Sequence, residues 1–338
     1  MFSIDRNRVC KLNIATIGTG PIVDSMMPAI QELEDIQCIA MYSRKEETAR
    51  ALAEKHKITT IYTGLDAMLM DPSIDVVYVA SPNSLHYTHS YQALQKGKHV
   101  ICEKPFTSTV QELEVLIALA KSKNLLLFEA ITTIHLPNYQ FIKENISKLG
   151  PIKLVQCNYS KYSSRYQQLL TGDTPNIFNP VYSGGALMDI NIYNLHFVVH
   201  LFGKPALVTY MANKHSNGID TSGVLVLRYK DFIAELVGSK DSNSMHFAMI
   251  QGENGYLHVE SSVGECRKVM LDVPDQKMEW NNQTNANQLF YEMQTFHQIY
   301  QAGDTTTCYQ LLDHSLAVMQ IVETARKDAG IVFSADKH

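Results

Sequence analysis

The chain has 338 residues, 45% apolar and 19% charged, with 29 basic side chains against 34 acidic ones and a formal charge of −5. At roughly 100–200 residues per domain this suggests two domains, and it excludes a disordered chain, a disulfide-dense miniprotein and a globally basic nucleic-acid binder. Charges interrupt every apolar stretch well short of the roughly 20 residues that span a bilayer, so no membrane partner is expected.

The first eleven residues carry Asp5, Arg6, Arg8 and Lys11 with no apolar block, which argues against a secretory signal. An apolar run, Leu12–Ile17, then enters Gly18-Thr19-Gly20-Pro21-Ile22-Val23 and a helix near Val23–Leu33. Ile36–Tyr42 reads as a strand, Glu46–His56 as a helix and Val76–Ala80 as a strand buried on both faces. Ser90–Lys96 is a helix stopped by Gly97. His99–Cys102, Gln111–Ser122 and Leu125–Phe128 follow as strand, helix and strand. The alternation predicts an α/β fold with a doubly wound parallel sheet.

The pattern changes near residue 150. Ile152–Tyr159, Ala206–Ala212, Gly223–Tyr229, Ile233–Val237, His246–Ile250, Tyr256–Glu260 and Lys268–Val273 read as closely spaced strands, several alternating apolar with polar. Helices near Asn287–Gln301 and Tyr309–Lys327 close the chain. Hence residues 1–130 are expected to form a dinucleotide-binding Rossmann domain. Residues 131–338 are expected to form an α+β domain with an open, mostly antiparallel sheet, the boundary falling around 129–137. The six scattered cysteines (Cys10, Cys38, Cys102, Cys157, Cys266 and Cys308) form no CxxC pair, which suits reduced thiols in a cytoplasmic protein without a metal framework.

The turn after the first strand is G-x-G-x-x-V. Gly18 allows the tight turn, and Gly20 lets the backbone of Thr19, Pro21 and Ile22 approach a pyrophosphate at the helix N-terminus. Val23 stands where a third glycine is usual. The next strand ends Met41-Tyr42-Ser43-Arg44-Lys45, with no acid before Glu46. An acid there would suit NAD, whereas Ser43 and Arg44 suit a 2′-phosphate, so NADP is preferred and NAD stays open. A charge-assisted bond of roughly 1.5–3 kcal/mol corresponds to about a 10–100-fold preference.

Four segments in order, GxGxI…PAI, SPNSLH, GKHVICEKP and SGGALMDINIY, resemble the glucose-fructose oxidoreductase / inositol dehydrogenase (Gfo/Idh/MocA) family over residues 12 to about 203. The resemblance implies hydride transfer between a nicotinamide and a carbinol or carbonyl carbon of a sugar, polyol or related compound. It implies that Ser81, Pro82, Asn83 and His86 line the cofactor, and that Glu103 and Lys104 sit beside the nicotinamide. Lys104 would reach the reacting oxygen, and Pro105 would shape the turn, often through a cis peptide. It also implies a homo-oligomer, a dimer or dimer of dimers, formed through the second sheet. A non-catalytic dinucleotide- or sugar-sensing protein of the same fold is the alternative, and retention of Lys104, Asp189 and Tyr193 together favours the enzyme.

The stretch from Gly184-Gly185 to Phe202 reads as a helix stopped by Gly203. Asp189, Tyr193, His196 and His200 share one face of it. A polar stripe on a buried helix is costly unless it meets partners or a cleft. Tyrosine at 193 in place of the family's usual histidine resembles the dimeric dihydrodiol dehydrogenase branch, where it is assigned as proton donor or acceptor. A Lys104 ammonium about 4 Å away contributes about 4 kcal/mol at an effective dielectric of 20, and would pull the phenol down from its ordinary value toward the working pH. Asp189 would hold a substrate hydroxyl or orient the pair. Asn191 replaces a usual glycine. Ile131–Pro137 lacks the usual aromatic and arginine, with His135 a candidate replacement, and both departures leave the substrate open. His196 and His200 have metal-ligand spacing but no third ligand, so core or cleft histidines are expected. Tyr139 and Lys143 match a YxxxK spacing but are expected on an ordinary surface helix. Tyr159, Tyr162, Arg165 and Tyr166 could rim a sugar pocket or sit on a loop.

Overall fold

The structure, a computed structural model, describes residues 11–337. Cys10 and the charged positions Asp5, Arg6 and Arg8, on which the reading of the leader rests, lie outside the described residues. The chain begins β1 (Leu12–Ile17), α1 (Pro21–Gln31), β2 (Ile36–Tyr42), α2 (Glu46–Lys55), β3 (Thr60–Tyr62), α3 (Leu65–Met70), β4 (Val76–Val79), α4 (His86–Gln95), β5 (His99–Glu103), α5 (Val110–Lys123) and β6 (Leu127–Ala130). These strands form one sheet in the order β3-β2-β1-β4-β5-β6, with every pairing parallel. All four residues of β4 are buried, as a central strand covered on both faces requires. The strand order reverses between β1 and β4, which opens a crevice at their carboxyl ends. The sequence reading passes over β3 and α3 because an edge strand of three residues and a helix of six carry too few positions to show a period.

Local signals fix the helix ends. α1 starts with Pro21, whose restricted φ suits the first helical position and whose missing N–H would have had no partner there. α5 opens on a capping box: Thr109 Oγ1 accepts from Glu112 N at 3.3 Å, while Glu112 Oε2 accepts from Thr109 N at 3.1 Å. It closes on Asn124 in the left-handed conformation.

The second part runs α6 (Pro137–Asn145), β7 (Ile152–Ser160), α7 (Tyr166–Leu170), α8 (Ile192–Phe202), β8 (Leu207–Lys214), β9 (Asp220–Arg228), β10 (Ile233–Ser239), β11 (Phe247–Gly252), β12 (Gly255–Val259), β13 (Val269–Val273), β14 (Gln276–Trp280), α9 (Leu289–Ala302) and α10 (Thr305–Asp328). The sheet order is β14-β13-β12-β11-β7-β10-β9-β8. β7 and β10 pair in parallel, and the remaining pairs are antiparallel. Among the described residues the five cysteines are free thiols, and no helix is long and apolar enough to cross a membrane.

Sequence position and core membership part company at the end of the chain. Leu289, Met293, Phe296 and Ile299 of α9 pack in one core with Leu12, Ile14, Tyr78, Ile101 and Phe128 of the parallel sheet. Leu312 and Met319 of α10 join the core on that sheet's other face, beside Ile17, Val77, Val79 and Leu127. Phe296 stacks on Phe128 with ring centroids 4.5 Å apart and planes 20° from parallel. Phe296→Ala is therefore expected to destabilise the protein by about 3–5 kcal/mol, read as a lowered urea midpoint. A loss below about 1 kcal/mol would mean that α9 contributes little to this core.

Candidate active site

A cleft of about 740 Å³ lies at the crevice between β1 and β4. Gly18, Thr19, Gly20, Pro21 and Ile22 line one end, with Ser43, Arg44 and Thr48 beside them, and Ser81, Pro82 and Asn83 form the opposite wall. Gly18 has φ +112°, and a Cβ there would collide with the Ala80 carbonyl just past β4. Gly20 is a different case: its φ is −77°, and a Cβ would meet no protein atom within 4 Å. The missing side chain therefore relieves no contact within the protein, and leaves room over the uncapped start of α1. That is the cradle a pyrophosphate needs. Asp24 in the first turn of α1 would oppose an anion, but Lys55 Nζ and His56 Nε2 both lie 2.7 Å from its carboxylate. At the end of β2 Arg44 is exposed and makes no ion pair among the described residues, Ser43 and Thr48 share a hydroxyl contact, and Glu46 is tied to Arg50 at 2.9 Å.

Of the remaining residues expected to line the cofactor, His86 stands behind the wall. Its buried ring lies 2.9 Å from the Ser81 carbonyl on one nitrogen and 2.9 Å from the Pro105 carbonyl on the other. It thus ties the Ser81 turn to the Glu103-Lys104-Pro105 turn. Burial lowers its pKa, although both carbonyls favour the charged ring. Glu103 is buried beneath Lys104 and accepts from the Tyr78 hydroxyl, and burial raises its pKa. The Lys104–Pro105 peptide is cis.

The double glycine launches the second chemical segment. A Cβ on Gly184 would strike the Ile177 carbonyl, and one on Gly185, at φ +108°, would strike the Asp220 carboxylate. Asp220 is buried at the start of β9, accepting from Leu187 N at 2.6 Å and from the Tyr210 hydroxyl at 2.8 Å. Leu187–Asn191 then form a π-turn leading into α8. The uniform helix read from sequence is thus widened by one residue at Asp189, a device frequent at functional sites.

The wider turn brings three distant charges together. Lys104 Nζ donates to the Asp189 carbonyl at 2.8 Å and to its carboxylate Oδ1 at 3.2 Å. Lys240, in the turn after β10, donates to Asp189 Oδ2. The same Lys104 Nζ lies 4.9 Å from the centre of the Tyr193 ring. Burial alone would lower the Lys104 pKa, but Asp189 and its neighbours outweigh burial and raise it. Burial would raise the pKa of Asp189, and the two lysines overcome it and hold the carboxyl well below its usual range. Tyr193 departs from the sequence expectation. Its pKa is raised, chiefly by burial, with Glu103, Asp189 and Tyr159 adding to the rise against the pull of Lys104. The ammonium faces the ring, and its downward pull on the phenol is outweighed by burial.

Other expectations are corrected or sharpened. Asn191 is fully buried away from the cleft; its Nδ2 donates to Leu236 O at 3.0 Å, and Gly238 on β10 leaves the space it fills. This departure from the family pattern is absorbed by packing. His135 does not replace an arginine: it packs edge-on to Phe296, and burial pushes its pKa down to about 3, so the ring is uncharged. Tyr139 is no surface residue; it is fully buried, with its hydroxyl 2.6 Å from His200 Nδ1. Tyr159 reaches the site, edge-on to Tyr193, and Arg165 lines the cleft, while Tyr162 and Tyr166 pair with each other. Lys240 went unrecognised, since a lysine in a polar loop carries no distinguishing signal. Asn176, Ile177 and Tyr182, which line the cleft, likewise gave none.

Past Tyr193 the stripe on α8 turns inward. His196 Nδ1 lies 3.0 Å from His314 Nε2, His200 packs edge-on to His314, and His196 Nε2 is 3.5 Å from Glu129. No group of side chains suited to a metal occurs among the described residues.

Known proteins share this architecture. Residues 12–131 match the model of an oxidoreductase family with an NAD-binding Rossmann fold, and residues 139–258 match the GFO/IDH/MocA C-terminal domain. The uncharacterized oxidoreductase YgjR of Escherichia coli K12 is 38% identical over 332 residues, covering 96% of this chain and 98% of that protein. The scyllo-inositol 2-dehydrogenase (NADP(+)) IolU of Bacillus subtilis 168 is 35% identical over 335 residues, covering 96% and 99%. In fold, the aldose-aldose oxidoreductase of Caulobacter crescentus complexed with glycerol is similar with a TM-score of 0.84 at 22% identity, covering 95% and 98%.

The histidines behind α8 set a pH dependence of stability. Burial pushes His135 down to about 3 and His200 to about 4, and holds His314 well below its ordinary value. Unfolded imidazoles take up protons as pH falls through about 6.5. In the folded protein His135 and His200 do so only near 3 and 4, and His314 well below its ordinary value, so their contribution is present above pH 6.5 and is lost as pH falls below it. Each such histidine adds a slope of about 1.4 kcal/mol per pH unit in that window. His314→Gln is expected to flatten the fall in unfolding free energy between pH 6.5 and 4.5 by about one such increment. Parallel curves for the two proteins would count against an uncharged cluster.

Proposed function

The chain belongs to the Gfo/Idh/MocA oxidoreductase family, and on that premise we propose that it transfers a hydride between NADP(H) and a ring carbon of a cyclic polyol or sugar. The observation that carries this reading is the cluster of Lys104, Asp189 and Tyr193 at one cleft with the Gly18–Ile22 turn, Asp189 itself lining that cleft. The curated name of IolU, at 35% identity over nearly the whole chain, supports a cyclic polyol. In this reading residues 1–130 carry the nucleotide, and residues 131–338 supply the substrate contacts.

The Gly18–Ile22 backbone would hold the pyrophosphate, and Ser43 and Arg44 the 2′-phosphate. When bound, the nicotinamide supplies or accepts the hydride at the substrate carbon. An ammonium has three donors, and Asp189 occupies two of those on Lys104, leaving one for the substrate oxygen. There it stabilises the charge that develops as the carbonyl becomes an alkoxide. Tyr193, kept neutral by its surroundings, gives its proton to that oxygen in the reductive direction and takes it back in the oxidative one. The Asp189 carboxylate fixes where the ammonium points. Tyr159 and Tyr193 offer the faces and edges against which the apolar side of a sugar ring packs.

Tyr193→Phe is expected to lower kcat by about 10²–10⁴-fold, assayed by NADPH absorbance with an inosose as substrate. An unchanged kcat would remove Tyr193 from the proton transfer. Arg44→Ala is expected to raise KM for NADPH about 10–100-fold with little effect on NADH. An equal effect on both cofactors would place the 2′-phosphate elsewhere.

A further inference from the structure

Lys240 is a buried ammonium that the hydride-transfer reading above does not use. Its side chain is 8% exposed, and the carboxylate it meets is Asp189. The neighbouring Asp241 is turned away, accepting from Thr221 at 2.7 Å, Ser222 at 2.9 Å and Ser239 at 2.8 Å. The backbone around Lys240 is fixed on two sides. Its N–H donates to Thr221 O at 2.8 Å, and its carbonyl accepts from Ser163 N at 2.9 Å. The lysine is therefore presented to Asp189 by a braced turn.

Charge counting shows what it does there. A buried lysine–carboxylate pair is electrically closed: each charge cancels most of the other's field, and the pair adds little stability once desolvation is counted. Lys104 and Asp189, 13% and 27% exposed at the cleft, would alone form a partly buried pair of this kind, and the field at the substrate oxygen would be small. In the structure Asp189 divides its two oxygens, Oδ1 to Lys104 and Oδ2 to Lys240. Two ammonium groups on one carboxylate leave a surplus positive charge. We propose that Lys240 is a positioning residue that engages the second oxygen of Asp189, so that Lys104 keeps an uncancelled positive charge toward the reacting oxygen. At the few ångströms separating such groups, an extra unit charge is worth kilocalories rather than tenths. Other groups facing Asp189 do not replace it. Tyr159 and Tyr193 remain neutral phenols, and Glu103, bound to the Tyr78 hydroxyl and pushed toward its neutral form by burial, offers no cation in its place.

This inference rests on the reading of Lys104 as the group that polarises the substrate, and the test separates the two. Lys240→Met keeps an unbranched side chain one atom shorter and removes the charge, and Lys240→Arg restores a charge. With an inosose and NADPH, Lys240→Met is expected to lower kcat about 10–100-fold while KM for NADPH stays within about twofold. The acid limb of kcat/KM should move to higher pH, because Asp189 has lost one of the cations that favour its ionised form. Lys240→Arg should return both the limb and most of kcat. A folded Lys240→Met with wild-type kcat and an unmoved acid limb would overturn the proposal, as would a loss confined to melting temperature. If Lys240→Met does not fold, Lys240→Gln is read in the same way. A carboxyl ¹³C titration of Asp189, assigned with Asp189→Asn, gives a readout without turnover. If the wild type reduces no cyclic ketone, the functional reading falls. Lys240 is then judged by whether its removal moves the Asp189 titration upward, and no movement overturns it.

Discussion

Asp189 joins the two sheets through charge. Its carboxylate holds Lys104, which leaves the end of β5 in the parallel sheet, and Lys240, which leaves the end of β10 in the other. The π-turn that carries Asp189 is fixed by its own set of contacts: the buried Asp220 carboxylate, the paired glycines before it, and Asn191 behind it against β10. A carboxylate between two ammonium groups is stable in a desolvated place only if all three are held rigidly. The bracing on every side meets that requirement. The cleft, the cofactor turn and Tyr193 take their places around a point that cannot relax without leaving a charge buried and unpaired.

The site mixes charged and deliberately uncharged groups at short range. Lys104 and Asp189 are held in their ionised forms by opposite partners. Tyr193, Glu103, Glu292 and the histidines behind α8 are pushed toward their neutral forms by burial. Glu292 on α9 is the extreme case, buried with neither carboxylate oxygen hydrogen-bonded. Neutrality around a small ionic cluster keeps the local dielectric low, and a charge placed there acts more strongly than it would in water.

Much of this was legible in the sequence, and the failures share a cause. Runs such as Leu12–Ile17 and Val76–Ala80 report burial directly, and the glycines at 18, 184 and 185 mark places where a side chain would not fit, so the parallel sheet and the turns could be read, though not the order of its strands. Periodicity also put Asp189, Tyr193 and His196 on one helix. It could not show which atoms meet. Lys104 was expected to set the state of the phenol and still pulls it down from over the ring, but burial outweighs that pull and reverses the direction of the Tyr193 shift. His135 and Tyr139 were judged by residue type, and their neighbours, Phe296 and His200, come from elements far away in the chain. Lys240 lies in Ser239-Lys240-Asp241-Ser242, which looks like any solvated turn. Only the pairing of β10 with β7 and β9 reveals that this turn points inward.

The placement of α9 and α10 bears on how such a chain is made. The parallel sheet is complete by residue 130, but Leu289, Phe296 and Met319, which close its cores, come more than 150 residues later in the chain. During translation both faces of a nearly finished sheet lack part of their cover for more than 150 residues of growth. A nascent chain in that state exposes apolar surface and depends on contacts of very long sequence separation, which are slow to form. The parallel sheet therefore reaches full native packing only once residues 289–319 have been made, and until then each of its faces keeps apolar surface that a distant part of the chain must cover.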